Sequence, residues 1–168
     1  MSQSWLTKYD NIINLYLNKK KYNEENKWIN YITKPEITEN DLLNEFIQTG
    51  INLKKNVNIT INNVEITNNK ELINELYTLI FIMEELCFKK YNYTFDILYK
   101  KCRNIFEKKN NDYGDSFVDY GVIGILVRLG DKFNRINSLI KKEIVNYESI
   151  DDTIIDSFNY IILALILI

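Results

Sequence analysis

The chain has 168 residues, 46% of them hydrophobic and 26% charged, with a formal net charge of −2, which suits one ordinary core and one folding unit. That charge lacks the basic surplus of a duplex nucleic-acid binder, so direct binding to DNA or RNA is not expected. There is no histidine, which excludes a Ser-His or Cys-His nucleophile and a histidine-ligated zinc site; any hydrolysis must rest on carboxylates, hydroxyls, lysines, arginines and a hard metal.

From Trp5 to Asn18, Leu6, Tyr9, Ile13, Tyr16 and Leu17 recur at helical spacing, and Glu24 to Ile32 predicts a second short helix before Pro35. Thr38 to Ile47 predicts a third, with Thr38 as its N-cap. The period then changes. Between Ile51 and Ile66, Val57, Ile59 and Ile61 alternate with polar residues, and Asn62-Asn63 offers a turn into Val64 to Ile66, so a small β-hairpin is expected. From Asn69 onward helices return, over Asn69 to Lys90, Thr94 to Lys109, Phe117 to Lys142 and Glu148 to Ile168. Closely spaced helices imply an antiparallel bundle, and the expected fold class is mainly α. Cys87 and Cys102 have no metal-ligand spacing and read as small core residues of a reducing compartment. No signal peptide is apparent at the start, and the apolar end from Tyr160 to Ile168 is too short to cross a bilayer, which takes about 20 residues. A cytoplasmic protein that does not enter a membrane is expected.

Chemistry-bearing residues gather in the last third. The run from Asn110 to Asp119 contains Gly114, suited to a left-handed turn, and Ser116 with Asp119 in the S-x-x-D form of a helix cap. A C-cap, a turn and an N-cap account for it without any function. On the next helix Val122, Ile125, Leu126, Leu129, Phe133, Ile136 and Ile140 make an apolar stripe. Its other face places Arg128, Asp131, Lys132 and Arg135 at i, i+3, i+4 and i+7, for which exposed salt bridges of about 0.2–0.5 kcal/mol each are a sufficient account. The last helix places Glu148, Asp152 and Asp156 at i, i+4 and i+8, with Asn159 one step further along the same face. Like charges one turn apart destabilise a helix unless something positive answers them. Mg²⁺ or Mn²⁺ on the carboxylate oxygens would do so, as would the guanidinium groups of the preceding helix. Asp156 and Asn159 stand in an otherwise apolar run, where a buried, unpaired Asp is too costly to be decorative.

Read together, Phe106-Glu-Lys-Lys-Asn-Asn-Asp-Tyr-Gly-Asp-Ser-Phe117, Gly124-Ile-Leu-Val-Arg-Leu-Gly-Asp-Lys-Phe-Asn-Arg-Ile136 and Glu148-Ser-Ile-Asp-Asp-Thr-Ile-Ile-Asp-Ser-Phe-Asn-Tyr160 resemble the nucleotide-modification-associated domain family of phages and large DNA viruses. The likeness covers roughly Thr94 to Ile168. The order of helices and the acidic last helix are also partly similar to the MazG-type all-α nucleoside triphosphate pyrophosphohydrolases, which hold Mg²⁺ between carboxylates on neighbouring helices. Their E-x-x-E is here Arg128-x-x-Asp131, with Lys132 and Arg135 following, so basic groups stand where acids would be.

The resemblances imply a nucleotide substrate and a Mg²⁺-dependent (deoxy)nucleoside triphosphate hydrolase releasing a monophosphate and pyrophosphate, with a non-catalytic nucleotide-binding or oligomeric interaction protein as the alternative. Under the first, Glu148 and Asp152, with Asp131 or Asp156, hold the metal and bring water to the α-phosphorus. Arg128, Lys132 and Arg135 neutralise phosphates. Asn110, Asp112 and Tyr113 meet base or sugar, Lys109 adds a phosphate contact, and Asn159 belongs to the same face. Residues 1–93 are expected to form a helical extension packed on a helical domain at 94–168. The almost wholly apolar run from Ile161 to Ile168 predicts a homo-oligomer, since a helix apolar all round must be covered on every side.

Overall fold

A computed structural model of the chain describes residues 4–22, 36–62, 70–141 and 147–168, without the side chains at 54, 56–62 and 147–149. Among the described residues there are six α-helices, α1 (Trp5–Tyr22), α2 (Glu39–Asn62), α3 (Lys70–Tyr91), α4 (Phe95–Tyr113), α5 (Gly121–Lys141) and α6 (Tyr147–Leu167), and a 3₁₀ turn at Ser116–Val118. The protein is mainly α, as the periodicity implies. The expected helix from Glu24 to Ile32 lies outside the described residues.

Thr38 caps α2 as expected. Its Oγ1 accepts from the Asp41 N–H at 3.2 Å, while its own N–H and hydroxyl donate to the Asp41 carboxylate at 2.8 and 2.7 Å. These bonds satisfy donors at the helix start and hold the Asp41 carboxyl below the usual range.

The expected β-hairpin is not formed. α2 continues without a break through Ile51, Val57, Ile59 and Ile61 to Asn62. Phe46, Gly50, Leu53, Val57 and Ile61 recur at three- and four-residue steps, so the segment carries a helical stripe as well as an alternating one. Phe46 and Leu53 are buried, and Phe46 packs on Phe133 of α5 with ring centroids 5.0 Å apart. Anchoring of this kind outweighs the modest β preference of branched residues. Val64 to Ile66, the other half of the expected hairpin, lies outside the described residues.

α5 and α6 form an antiparallel pair. Lys132 meets Asp156, while Arg128 with Tyr160 and Ile125 with Leu163 share a cleft further along. The α5 stripe is buried at Ile125, Leu126, Leu129, Phe133 and Ile136. α6 is the central helix, packed against α1, α3, α4 and α5, and Phe158, Ile161, Ile162 and Ala164 are fully buried. The chain itself buries Ile161 to Leu165 of the apolar C-terminal run, while Ile166, Leu167 and Ile168 are only partly covered.

Polar bonds fasten α1 across the bundle. The Tyr16 hydroxyl and Lys20 donate to Glu84 of α3 at 2.5 and 2.6 Å. Arg103 of α4 donates to both oxygens of Asp10 at 2.7 and 3.0 Å, and Tyr99 donates to the same carboxylate. Cys87 and Cys102 are free and buried, and burial pushes the Cys87 thiol up to about 12. Among the described residues no helix is long and apolar enough to cross a membrane.

Candidate functional site

The polar run after Lys109 does not leave the helix where the sequence predicts. α4 continues to Tyr113, so Asn110, Asp112 and Tyr113 lie on its last turn, and Gly114 ends it at φ 61°, ψ −156°, a backbone region open essentially to glycine. The S-x-x-D cap is replaced by a single 3₁₀ turn in which the Asp119 N–H bonds the Ser116 carbonyl at 3.3 Å. α5 starts later than expected, at Gly121, with φ 59°. The turn is held from below: Phe117 packs edge-on against Trp5 of α1 at 4.8 Å and against Phe106 of α4 at 6.2 Å.

This turn roofs a cleft of about 690 Å³ between α4, α5 and α6. Lys109, Asn110 and Tyr113 line it from α4, Arg128 from α5, and Asp156 and Asn159 from α6. Six residues singled out in the sequence thus converge on one concave surface. Most of the remainder is aromatic and aliphatic, Phe106, Phe117, Tyr120, Ile125, Val127, Tyr160 and Leu163, with Gly114, Ser116 and Gly124 completing it. Tyr113 and Tyr120 are 74% and 76% exposed at the rim, available for stacking. Of these aromatic groups only Tyr113 was marked from sequence; the spacing of Tyr113, Phe117 and Tyr120 around Gly114 is the signal that could have found the others.

Charge in the cleft is arranged around Asp156. Lys109 donates to its Oδ1 at 2.6 Å and Lys132 to its Oδ2 at 2.8 Å. Burial pushes the Asp156 carboxyl up, but the two lysine bonds outweigh it and the group lies below the usual carboxylate range. The positive answer that a half-buried Asp requires is therefore a pair of lysines. Arg128 is exposed and among the described residues makes no ion pair or hydrogen bond.

A lowered carboxyl pKa fixes the sign of a pH effect. The stability contributed by Asp156 is fully present above the ordinary Asp value of about 3.9 and is lost as pH falls through the folded-state value. Asp156→Asn is expected to cost on the order of 1 kcal/mol near neutral pH, given partial solvent screening. The gap between parent and variant should close in acid, as melting curves across pH would show; a gap constant with pH would contradict the pairing.

Asn159 is 7% exposed, and its amide is used within the protein. Oδ1 accepts from the Tyr9 hydroxyl of α1 at 2.7 Å, and Nδ2 donates to the Cys102 carbonyl of α4 at 3.1 Å. Tyr9 is fully buried and stacked on Phe106 at 5.2 Å, and burial raises its pKa well above the usual value. Asn110 turns a buried Oδ1 into the cleft wall with no partner among the described residues.

The other expected residues lie elsewhere. Asp112, Asp131, Arg135 and Asp152 are exposed and do not line the cleft, and the side chain of Glu148 lies outside the described residues. Helical geometry separates the charged face of α5: Arg128 and Lys132 turn toward α6, while Asp131 and Arg135 face outward. Among the described residues no three acids or cysteines stand close enough to hold a metal ion. Asp156 spends both oxygens on lysines, so the donor set described does not fit Mg²⁺ at this position.

Residues 109–168 match the family described as nucleotide modification associated domain 1. No curated protein and no solved structure matches the chain. The match begins at Lys109 and spans every charged residue of the cleft.

Proposed function

We propose that this chain, whose residues 109–168 match the family described as nucleotide modification associated domain 1, binds a nucleotide in the cleft between α4, α5 and α6. One observation carries the reading: an uncommitted guanidinium, Arg128, shares an aromatic-lined cleft of about 690 Å³ with the exposed rings of Tyr113 and Tyr120. A phosphate ester joined to a flat aromatic base presents the complementary groups. Arg offers a planar fork to phosphate oxygens, and a base is stabilised by stacking on an aromatic face, about 1–3 kcal/mol per base. The cleft size is ordinary for a small-molecule site.

The test is calorimetric titration with canonical and base-modified nucleotides and the matching nucleosides. Arg128→Ala should weaken nucleotide binding about 10- to 100-fold, the worth of a charge-assisted bond of roughly 1.5–3 kcal/mol. Its melting temperature should stay near the parent's, because the side chain is exposed and unpaired. Equal affinity for a nucleoside and its nucleotide would remove the phosphate from the proposal. The same panel, incubated with and without Mg²⁺ and analysed for products by mass, tests the hydrolytic form in which Glu148 and Asp152 hold a metal. The described carboxylates do not assemble around such an ion.

A further inference from the structure

We infer that Trp5 of α1 is a positioning residue for the base: through Phe117 it fixes the spacing between the cleft wall that carries Tyr113 and the wall that carries Tyr120. The inference rests on the nucleotide reading above and deepens it, since Trp5 lies far outside residues 109–168.

The two walls belong to different sides of the bundle. α4 packs on α1, α3 and α6, whereas α5 packs on α2, α6 and the 3₁₀ turn. Tyr113 is the last residue of α4. Tyr120 immediately precedes α5, where its carbonyl accepts from the Gly124 N–H at 3.2 Å. One exposed ring thus stands on each wall, and the chain crosses from one to the other between Gly114 and Gly121.

That crossing is fastened at one residue. From Asn111 to Tyr120, Phe117 alone is not exposed. The backbone bonds of the turn are local, from the Val118 N–H to the Asp115 carbonyl at 2.9 Å and from the Asp119 N–H to the Ser116 carbonyl at 3.3 Å. Among the described residues the side chains of Asp115, Ser116, Asp119 and Tyr120 make no hydrogen bond or ion pair. Gly114 and Gly121 bound the turn at positive φ, and a Cβ on either would meet nothing within 4 Å, so neither end is wedged by its neighbours.

Phe117 therefore ties the crossing to the α1 and α4 side. Its ring packs on Trp5 and Phe106, and Tyr9, one turn after Trp5, stacks on Phe106 at 5.2 Å. Ser4 secures the start of α1 by accepting from the Thr7 N–H at 3.3 Å, which holds Trp5 in place. Edge-on ring pairs are directional as well as apolar. Removing the Trp5 ring frees Phe117 on one side and lets the spacing of the two tyrosines vary. Arg128 is not disturbed, because it lies about two turns into α5 from Tyr120. The base contact should suffer and the phosphate contact should not.

Calorimetry with a nucleotide and its nucleoside compares the full-length parent with Trp5→Ala, Trp5→Leu and Trp5→Phe, each at a temperature where its melting curve shows it folded. Trp5→Ala should weaken both ligands alike, about tenfold, the scale of one base stack, so that their affinity ratio stays at the parent's. Trp5→Leu, which keeps an apolar filler without a ring, should weaken both as well, and Trp5→Phe should recover most of the affinity. A purely structural role would lower the melting temperature and leave the affinity of the folded protein unchanged. Parent-like affinity in folded Trp5→Ala, or in Trp5→Leu where the alanine variant does not fold, overturns the inference and leaves nucleotide binding intact. So does a loss confined to the nucleotide, which would place the effect at the phosphate, or a Trp5→Phe no tighter than Trp5→Leu. Failure of the parent to bind any nucleotide sinks the nucleotide reading and the role of Trp5 with it.

Discussion

Phe158→Ala should lower the free energy of unfolding by about 3–5 kcal/mol, the range for removing a fully buried aromatic ring. For a chain of this size that is about 2–4 °C of melting temperature per kcal/mol. Phe158 has no exposed surface and points from α6 toward Phe95 of α4, with ring centroids 6.4 Å apart. It lies where α6 is enclosed by four other helices, so the surroundings have little freedom to collapse into the gap, and the cavity term adds to the lost transfer energy. Chemical denaturation measures the loss directly. A cost below about 1 kcal/mol would mean that α6 is not the central helix, and the same helix carries Asp156 and Asn159 into the cleft. Phe158→Leu, which keeps most of the volume, should cost much less.

That central position was only half legible in the sequence. The run from Ile154 to Ile168 announces a helix apolar on every side, but not what covers it. Periodicity says that a surface must be buried and is silent on whether the same chain or a second copy buries it. The partners are residues far away in sequence, among them Tyr9 and Phe95, and nothing in their local spacing names α6. The α5 stripe was fully legible, because an amphipathic helix needs only one covering face. In α2 two periods coexist: Val57, Ile59 and Ile61 alternate, while Leu53, Val57 and Ile61 step by four. The helical period prevails because Phe46 and Leu53 upstream are already anchored in the core, and a helix once started extends at little further cost.

For the cleft, residue types were legible and their pairings were not. Lys109, Asn110, Tyr113, Arg128, Asp156 and Asn159 were identified from sequence and meet on one surface. Lys132, expected among the phosphate ligands, is also an ion-pair partner of Asp156, which spacing along a single helix does not reveal. That bond, and the one from Lys109, join residues 24 and 47 positions apart, beyond the reach of any periodicity. The turn was misread for a local reason. A run of Asn and Asp has poor helix propensity, yet α4 runs on to Tyr113, and it stops only where Gly114 adopts a positive φ.

The longest such pairing among the described residues, Tyr9 with Asn159 across 150 residues, gives the second large effect. Asn159→Leu should cost about 1–3 kcal/mol, because the fully buried Tyr9 hydroxyl then has no acceptor and keeps its desolvation penalty. The Cys102 carbonyl, which also loses a donor, lies inside α4 and retains its place in the helical ladder, so it adds less. Tyr9→Phe should cost a similar amount by leaving Asn159 Oδ1 without a donor. The double variant distinguishes a shared bond from two unrelated losses. With hydroxyl and amide both gone, no orphan polar group remains between α1 and α6, and the combined cost should fall short of the sum by about 0.5–3 kcal/mol. Denaturation of the parent, both single variants and the double variant gives this coupling; a value within about 0.3 kcal/mol of zero would show that the two side chains act independently. A coupling of the expected size would mean that α1, which lies wholly outside residues 109–168, helps to hold the wall of the cleft through one buried hydrogen bond.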